Sequence, residues 1–128
     1  MDDLVEAARE AVENAYAPYS EYAVGAALET ADGRVIPGCN VEVMNYSNSM
    51  HAEGVAVGTA VAQGHTDFER IAVSSAKRDG VTPCGLCRQT LAEFCGPAFL
   101  VLCDEGDAVA EYTLGELLPE AMTADMLE

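Results

Sequence analysis

The chain has 128 residues, half of them hydrophobic, and carries 22 acidic side chains against 6 basic ones, for a net charge of −16. That length and apolar content suit one domain with its own core, residues 1–128, and exclude a disordered tail. So acidic a surface repels phosphate backbones and anionic lipid, which argues against nucleic-acid polymers and membrane surfaces as partners. In chain order, apolar positions at Leu4, Ala8, Ala11, Val12 and Ala15 predict a helix over residues 3–15, stopped by "APYS", where Pro18 disfavours helix in the residue before it. "YAVGAALET" (22–30) reads as a strand, "ADGR" as a hairpin turn and "VIPGCNV" (35–41) as the returning strand. Residues 41–50 are polar and loop-like. Residues 51–64 predict a helix that is apolar nearly all round and hence buried. "FERIAVSS" (68–75) is a strand, "AKRDGVTP" a loop, and residues 84–94 a helix. "AFLVLC" (98–103) reads as a strand covered on both faces, "AVAEYT" (108–113) as a last edge strand, and "LGELLPEAM" as a short helix ended near Pro119.

Two hairpin strands followed by alternating helices and strands predict the α/β class, a layered sandwich whose later strands run parallel. "MDDLVEAARE" is acidic and amphipathic, unlike a secretion signal, and no apolar run has the length of a membrane span. The five cysteines are odd in number and are not spaced as a disulfide framework, so the expected compartment is the reducing cytoplasm. The acidic, Lys-poor composition, with Lys77 the only lysine, resembles that of proteins from extreme halophiles.

Chemistry concentrates at two places. "NSMHAEGVAVG" (48–58) sets His51 and Glu53 at the mouth of an uncharged stretch, where an ionisable pair has to be neutralised, paired or used. "TPCGLCRQ" (82–89) sets Cys84 and Cys87 three apart, on one helix face and near a helix N-terminus where the dipole favours thiolate. Two helix starts, one with a His and one with a Cys pair, can converge. One imidazole and two thiolates then give a tetrahedral zinc three protein ligands, with the fourth position left for water. Glu53 lies within reach of that water and can take its proton and deliver it elsewhere. Each element also has a plainer reading. His51 can be a surface residue at a helix start, and Cys84–Cys87 a redox pair. A structural zinc site could recruit Cys39, Cys95, Cys103 or His65 as a fourth ligand, and Glu53 can be an ordinary first-turn acid.

His-x-Glu followed by Pro-Cys-x-x-Cys is the compound signature of zinc nucleobase deaminases. With "AYAPYSEYAVGAAL", "GCNVE", "HAE", "PCGLCRQ" and "ELLPEAM" in order, the chain resembles the cytidine deaminase family along nearly its whole length. The resemblance implies a three-layer α/β/α sandwich on a mixed five-stranded sheet. It implies zinc-dependent hydrolysis of the 4-amino group of cytidine and deoxycytidine, giving uridine or deoxyuridine and ammonia, as in pyrimidine salvage. It also implies one Zn²⁺ per subunit on His51, Cys84 and Cys87, with Glu53 as the proton carrier. Asn40 and Glu42 match the pair on the ribose hydroxyls, Tyr22 the wall of the base pocket and Ala52 a main-chain contact to the pyrimidine edge. Tyr46 falls near both the site and a subunit contact. The resemblance also implies a homotetramer, the usual state of small members of the family, and residues 41–50 and 112–125 are candidates for that contact. Four departures stand out: His51 and Gly54 where many members have Cys and Arg, Val43 for Asn, Met122 for an aromatic residue, and Tyr22 for Phe. Alternatives are a deaminase of another aminopyrimidine such as blasticidin S, or a non-catalytic zinc-stabilised binding module.

Overall fold

The computed structural model describes residues 2–127. Helix α1 (Asp3–Val12) is capped by the Asp2 carboxylate, which accepts from the Leu4 N–H. Strands β1 (Val24–Thr30) and β2 (Val35–Cys39) form the expected hairpin. Helix α2 (Ala52–Ala62), strand β3 (Phe68–Ser75), helix α3 (Gly85–Phe94), strands β4 (Leu100–Asp104) and β5 (Val109–Thr113), and the short helix α4 (Leu114–Leu117) follow. Two 3₁₀ turns, Tyr46–Asn48 and Ala124–Leu127, complete the elements.

Among the described residues, five strands make one sheet in the order β2-β1-β3-β4-β5. β3 and β4 run parallel, and the other pairings are antiparallel, so the sheet is mixed. Side-chain alternation sorts the core into two layers. Ala27, Ala72 and Leu102 face Leu4, Val5 and Ala8 of α1. Ala26, Leu28, Ile71, Val101 and Cys103 face the other way, against Ala52, Ala56, Val57 and Ala60 of α2 and Leu91 of α3. This is the three-layer α/β/α sandwich.

Two boundaries and one burial pattern near the site differ from the sequence expectation, each for a physical reason. α1 ends at Val12 rather than Ala15 because Tyr16 leaves to pair with the 40–42 segment. Its N–H donates to Asn40 O (2.9 Å), and its carbonyl accepts from the Glu42 N–H (2.8 Å). β1 starts at Val24 rather than Tyr22, since the backbone of residues 20–22 is bent through Glu21 at φ 58. α2 is not buried all round. Ala52, Glu53, Ala56, Val57 and Ala60 are inside, whereas Gly54, Val55, Gly58 and Ala62 line an open apolar groove with Leu86 and Thr90 of α3.

Close contact between layers sets where α2 begins. A Cβ on Gly38 would lie 2.3 Å from the Ala52 carbonyl oxygen and 2.6 Å from the Ala56 nitrogen. Only glycine lets the first turn of α2 rest on β2, and that turn carries the candidate chemistry.

Candidate active site

Three ligating atoms meet where α2 and α3 begin. His51 is the N-cap of α2 and Cys84 the N-cap of α3, and neither side chain caps its own helix. His51 Nδ1 lies 3.1 Å from Cys84 Sγ and 3.4 Å from Cys87 Sγ, and all three atoms are within 4.8 Å of one another. A tetrahedral zinc with ordinary Zn–N and Zn–S bonds sets neighbouring N and S ligands roughly 3.6 Å apart. The spacing and the donor chemistry therefore fit Zn²⁺, and imidazole with two thiolates selects it over Mg²⁺ or Ca²⁺. Among the described residues, Cys39, Cys95, Cys103 and His65 lie outside this group. Cys95 and Cys103 are packed thiols, which burial pushes up to about 12 and about 11.

The two sulfurs have unequal environments. Cys84 is exposed and Cys87 is buried. The helix start alone favours thiolate at both, but burial pushes the Cys87 thiol well above its ordinary value, and Glu53 and Cys84 add to the rise. A buried thiolate at this position is of the kind that a bound divalent cation stabilises.

Glu53, in the first turn of α2, is 5% exposed. Burial raises its carboxyl above the usual carboxylate range, with its own backbone N–H, His51 and Cys87 pulling the other way. A carboxyl raised by desolvation beside a metal-binding group is a candidate proton carrier.

These residues open into a cavity of about 260 Å³ whose wall includes Tyr22, Asn40, Glu42, His51, Ala52, Glu53 and Cys84. Seven of the nine residues singled out from the sequence thus line one space. Cys87 belongs to the donor group but lines the neighbouring groove instead, and Tyr46 lies outside the cavity, 71% exposed and packed edge-on against Tyr19 at 5.7 Å. Asn40 and Glu42 also hold the chain. Asn40 Oδ1 accepts from the Val24 N–H (2.9 Å), and its Nδ2 donates to Tyr22 O (2.8 Å). Glu42 accepts from the N–H groups of Tyr19 and Ser20 and from the Ser20 hydroxyl. Each still has hydrogen-bonding capacity to spare. Ser20, Val24, Ser49, Met50, Val81 and Thr82 also line the cavity and were not singled out. Of these, Ser20 stands two residues before Tyr22 in "YSEY", the one signal in the sequence that could have pointed to it.

The arginine absent at position 54 has no evident replacement at the sulfurs. Arg88 is committed elsewhere, donating to Pro83 O (2.6 Å), Leu117 O (2.7 Å) and Thr82 Oγ1 (3.1 Å). It ties the approach to Cys84 and the end of α4 to α3. With one imidazole and two thiolates the zinc centre is formally neutral and has less need of a cation.

A sheet that brings two helix starts together around an imidazole and two sulfurs defines a zinc-binding enzyme domain. Comparison shows which one. The model of the cytidine and deoxycytidylate deaminase zinc-binding region matches residues 1–103. The cytidine deaminase of Halalkalibacterium halodurans is 43% identical over 124 residues, covering 95% of this chain and 93% of its own. The crystal structure of cytidine deaminase from Burkholderia pseudomallei superposes with a TM-score of 0.89 at 42% identity, covering 94% of this chain and 97% of that one. Blasticidin-S deaminase of Bacillus cereus is more distant, at 32% identity over 125 residues, 91% of this chain and 88% of its own. The chain belongs to the cytidine deaminase family.

Proposed function

We propose that this protein hydrolyses the 4-amino group of cytidine and deoxycytidine, releasing ammonia and leaving uridine or deoxyuridine for pyrimidine salvage. The observation that carries this reading is one cavity that joins a buried proton carrier, Glu53, and the His51–Cys84–Cys87 group to the polar pair Asn40 and Glu42. A pyrimidine nucleoside has a reactive end and a sugar end, and so does the cavity.

His51 Nδ1, Cys84 Sγ and Cys87 Sγ would hold the zinc, which when bound would supply an acidified water at neutral pH. Glu53 takes a proton from the attacking water and passes it to N3 of the ring. It then carries the second proton to the departing amine, which leaves as ammonia while the C4–N bond breaks and a C4–O bond remains. Its desolvated carboxyl is matched to both roles. The Ala52 main chain meets the pyrimidine edge, and Tyr22 walls the base. Asn40 and Glu42 take the sugar hydroxyls, for which an amide and a carboxylate offer the right donors and acceptors.

Residues 1–128 act as one catalytic domain. Self-association into a homotetramer is supported by the apolar groove on the outer face of α2 and by the exposed Met44, Met50, Tyr46 and Leu86. Met122, 54% exposed in this chain, is placed by the same reading at a neighbour's site. A solution mass near four times 13.5 kDa is the expected result. A cytoplasmic location is supported by five cysteines without a disulfide among the described residues. No helix there is long and apolar enough to cross a membrane. Halophilic adaptation is supported by the net charge of −16.

The test is ammonia release from cytidine, deoxycytidine and blasticidin S by zinc-loaded protein in molar KCl. Turnover of the two nucleosides with little on blasticidin S is expected, because the Asn40–Glu42 pair is assigned to the hydroxyls of a ribose or deoxyribose, which the unsaturated hexuronic ring of blasticidin S does not present. The reverse preference contradicts the assignment.

A further inference from the structure

Glu42 is held by a single turn of chain. Tyr19 N–H (3.1 Å) and Ser20 N–H (3.0 Å) both donate to Oε1, and the Ser20 hydroxyl donates to Oε2. The direction of that last bond is settled by what else Ser20 Oγ does. It accepts from the Tyr22 N–H at 3.0 Å, so its one proton is free to go to the carboxylate. Glu21, between them, sits at φ 58, the left-handed bend that lets residue 20 reach back to residue 22. The other end of the bend is fixed by Asn40, which donates to the Tyr22 carbonyl and accepts from the Val24 N–H. Ser20, Tyr22, Asn40 and Glu42 all line the same cavity as Glu53.

An ionised carboxylate offers about four lone-pair sites. Among the described residues, Oε1 of Glu42 takes two donors and Oε2 takes one, from Ser20. One acceptor site on Oε2 is therefore left for a ligand, and the Ser20 hydroxyl fixes which way it points. The same hydrogen bond is the foremost reason why the Glu42 carboxyl is held below its ordinary range, so at neutral pH the residue is an acceptor only.

Building on the sugar-contact assignment above, we infer that Ser20 is a positioning residue for substrate selection. By orienting the Glu42 carboxylate, it makes the site select nucleosides whose sugar presents a free hydroxyl donor. A ligand without that hydroxyl leaves the remaining acceptor unpaired. A ligand esterified there with phosphate meets a like charge.

The test compares wild type, Ser20→Ala and Ser20→Thr with cytidine, and with 2′,3′-dideoxycytidine as substrate or as competitive inhibitor of cytidine turnover. Ser20→Ala is expected to lower kcat/KM for cytidine about 10-fold, as loss of one hydrogen bond to a charged group does. The loss falls on KM, while kcat stays within about 2-fold because Ser20 touches no reacting atom. Ser20→Thr, which keeps the hydroxyl, recovers most of it. The constants for dideoxycytidine stay the same in wild type and Ser20→Ala, since it lacks the 2′- and 3′-hydroxyls that the oriented Glu42 carboxylate would read and keeps only the 5′-hydroxyl. An equal loss for both ligands, a loss confined to kcat, or Ser20→Thr as poor as Ser20→Ala in folded protein overturns the positioning role alone. Wild-type protein that releases no ammonia from cytidine removes the functional assignment beneath it.

Discussion

Asp104 at the end of β4 should govern acid stability. Its carboxylate is 7% exposed and accepts from Arg9 Nε (2.6 Å) and an Arg9 terminal nitrogen (2.7 Å), from the Ser74 hydroxyl (2.8 Å) and from the Gly106 N–H (2.9 Å). It thereby ties α1 to the middle of the sheet. The Arg9 guanidinium, first among these partners, holds the carboxyl at about 2 against an ordinary 3.8. At about 1.4 kcal/mol per pH unit, that gap contributes about 2 kcal/mol to stability at neutral pH. Because the folded-state pKa is depressed, the contribution is complete above pH ~4 and disappears as the pH falls towards ~2. Asp104→Asn keeps the shape and lacks the charge at every pH. Urea unfolding of the two proteins, paired at fixed salt from pH 6 down to pH 2, cancels what zinc loss and other carboxylates contribute to both. The stability difference is expected to shrink by about 2 kcal/mol between pH ~5 and pH ~2. A difference that stays constant over that range refutes the reasoning.

Gly38→Ala forces a methyl against the Ala52 carbonyl and the Ala56 nitrogen. It should cost about 1–3 kcal/mol in thermal unfolding and weaken zinc retention by displacing His51, whereas a variant with wild-type zinc affinity contradicts the role given to that contact. Glu21 occupies a left-handed conformation at φ 58. Glu21→Gly should leave stability equal or up to ~1 kcal/mol higher, and Glu21→Val should lower it by ~1–2 kcal/mol; the opposite order in urea melts contradicts the bend. Raising KCl from 0.1 M to 2 M shortens the Debye length from about 10 Å to under 3 Å and relieves the repulsion among 22 acidic residues. The melting temperature should rise by several degrees, and a flat or falling profile argues against salt adaptation.

Much of this molecule is written locally. Strand β3 coincides with its apolar run, and the starts of α2 and α3 lie at His51 and Cys84, where the compound motif places them. The donor group is legible because its spacing is a chemical demand repeated along the chain. Features set by distant contacts were not legible. The shortened α1 follows from Tyr16 pairing with Asn40 and Glu42, 24 and 26 residues away. The sheet order, the Gly38 contact and the open outer face of α2 likewise depend on which elements meet. The burial of Cys87, which raises its thiol, was not legible either, because it depends on what packs over the helix start. Asn40 and Glu42, which the resemblance assigns to the sugar hydroxyls, fasten residues 19–24, a task visible only once the chain has folded back.

The central claim is that Glu53 carries the proton while His51, Cys84 and Cys87 hold the metal. Ammonia release from cytidine by Glu53→Gln, with zinc content measured on the same sample, tests it most directly. Loss of activity by at least about 10³-fold with one zinc still bound per chain is the expected result, since the amide keeps the shape but cannot take up the proton. An unchanged rate in the zinc-loaded variant would contradict it.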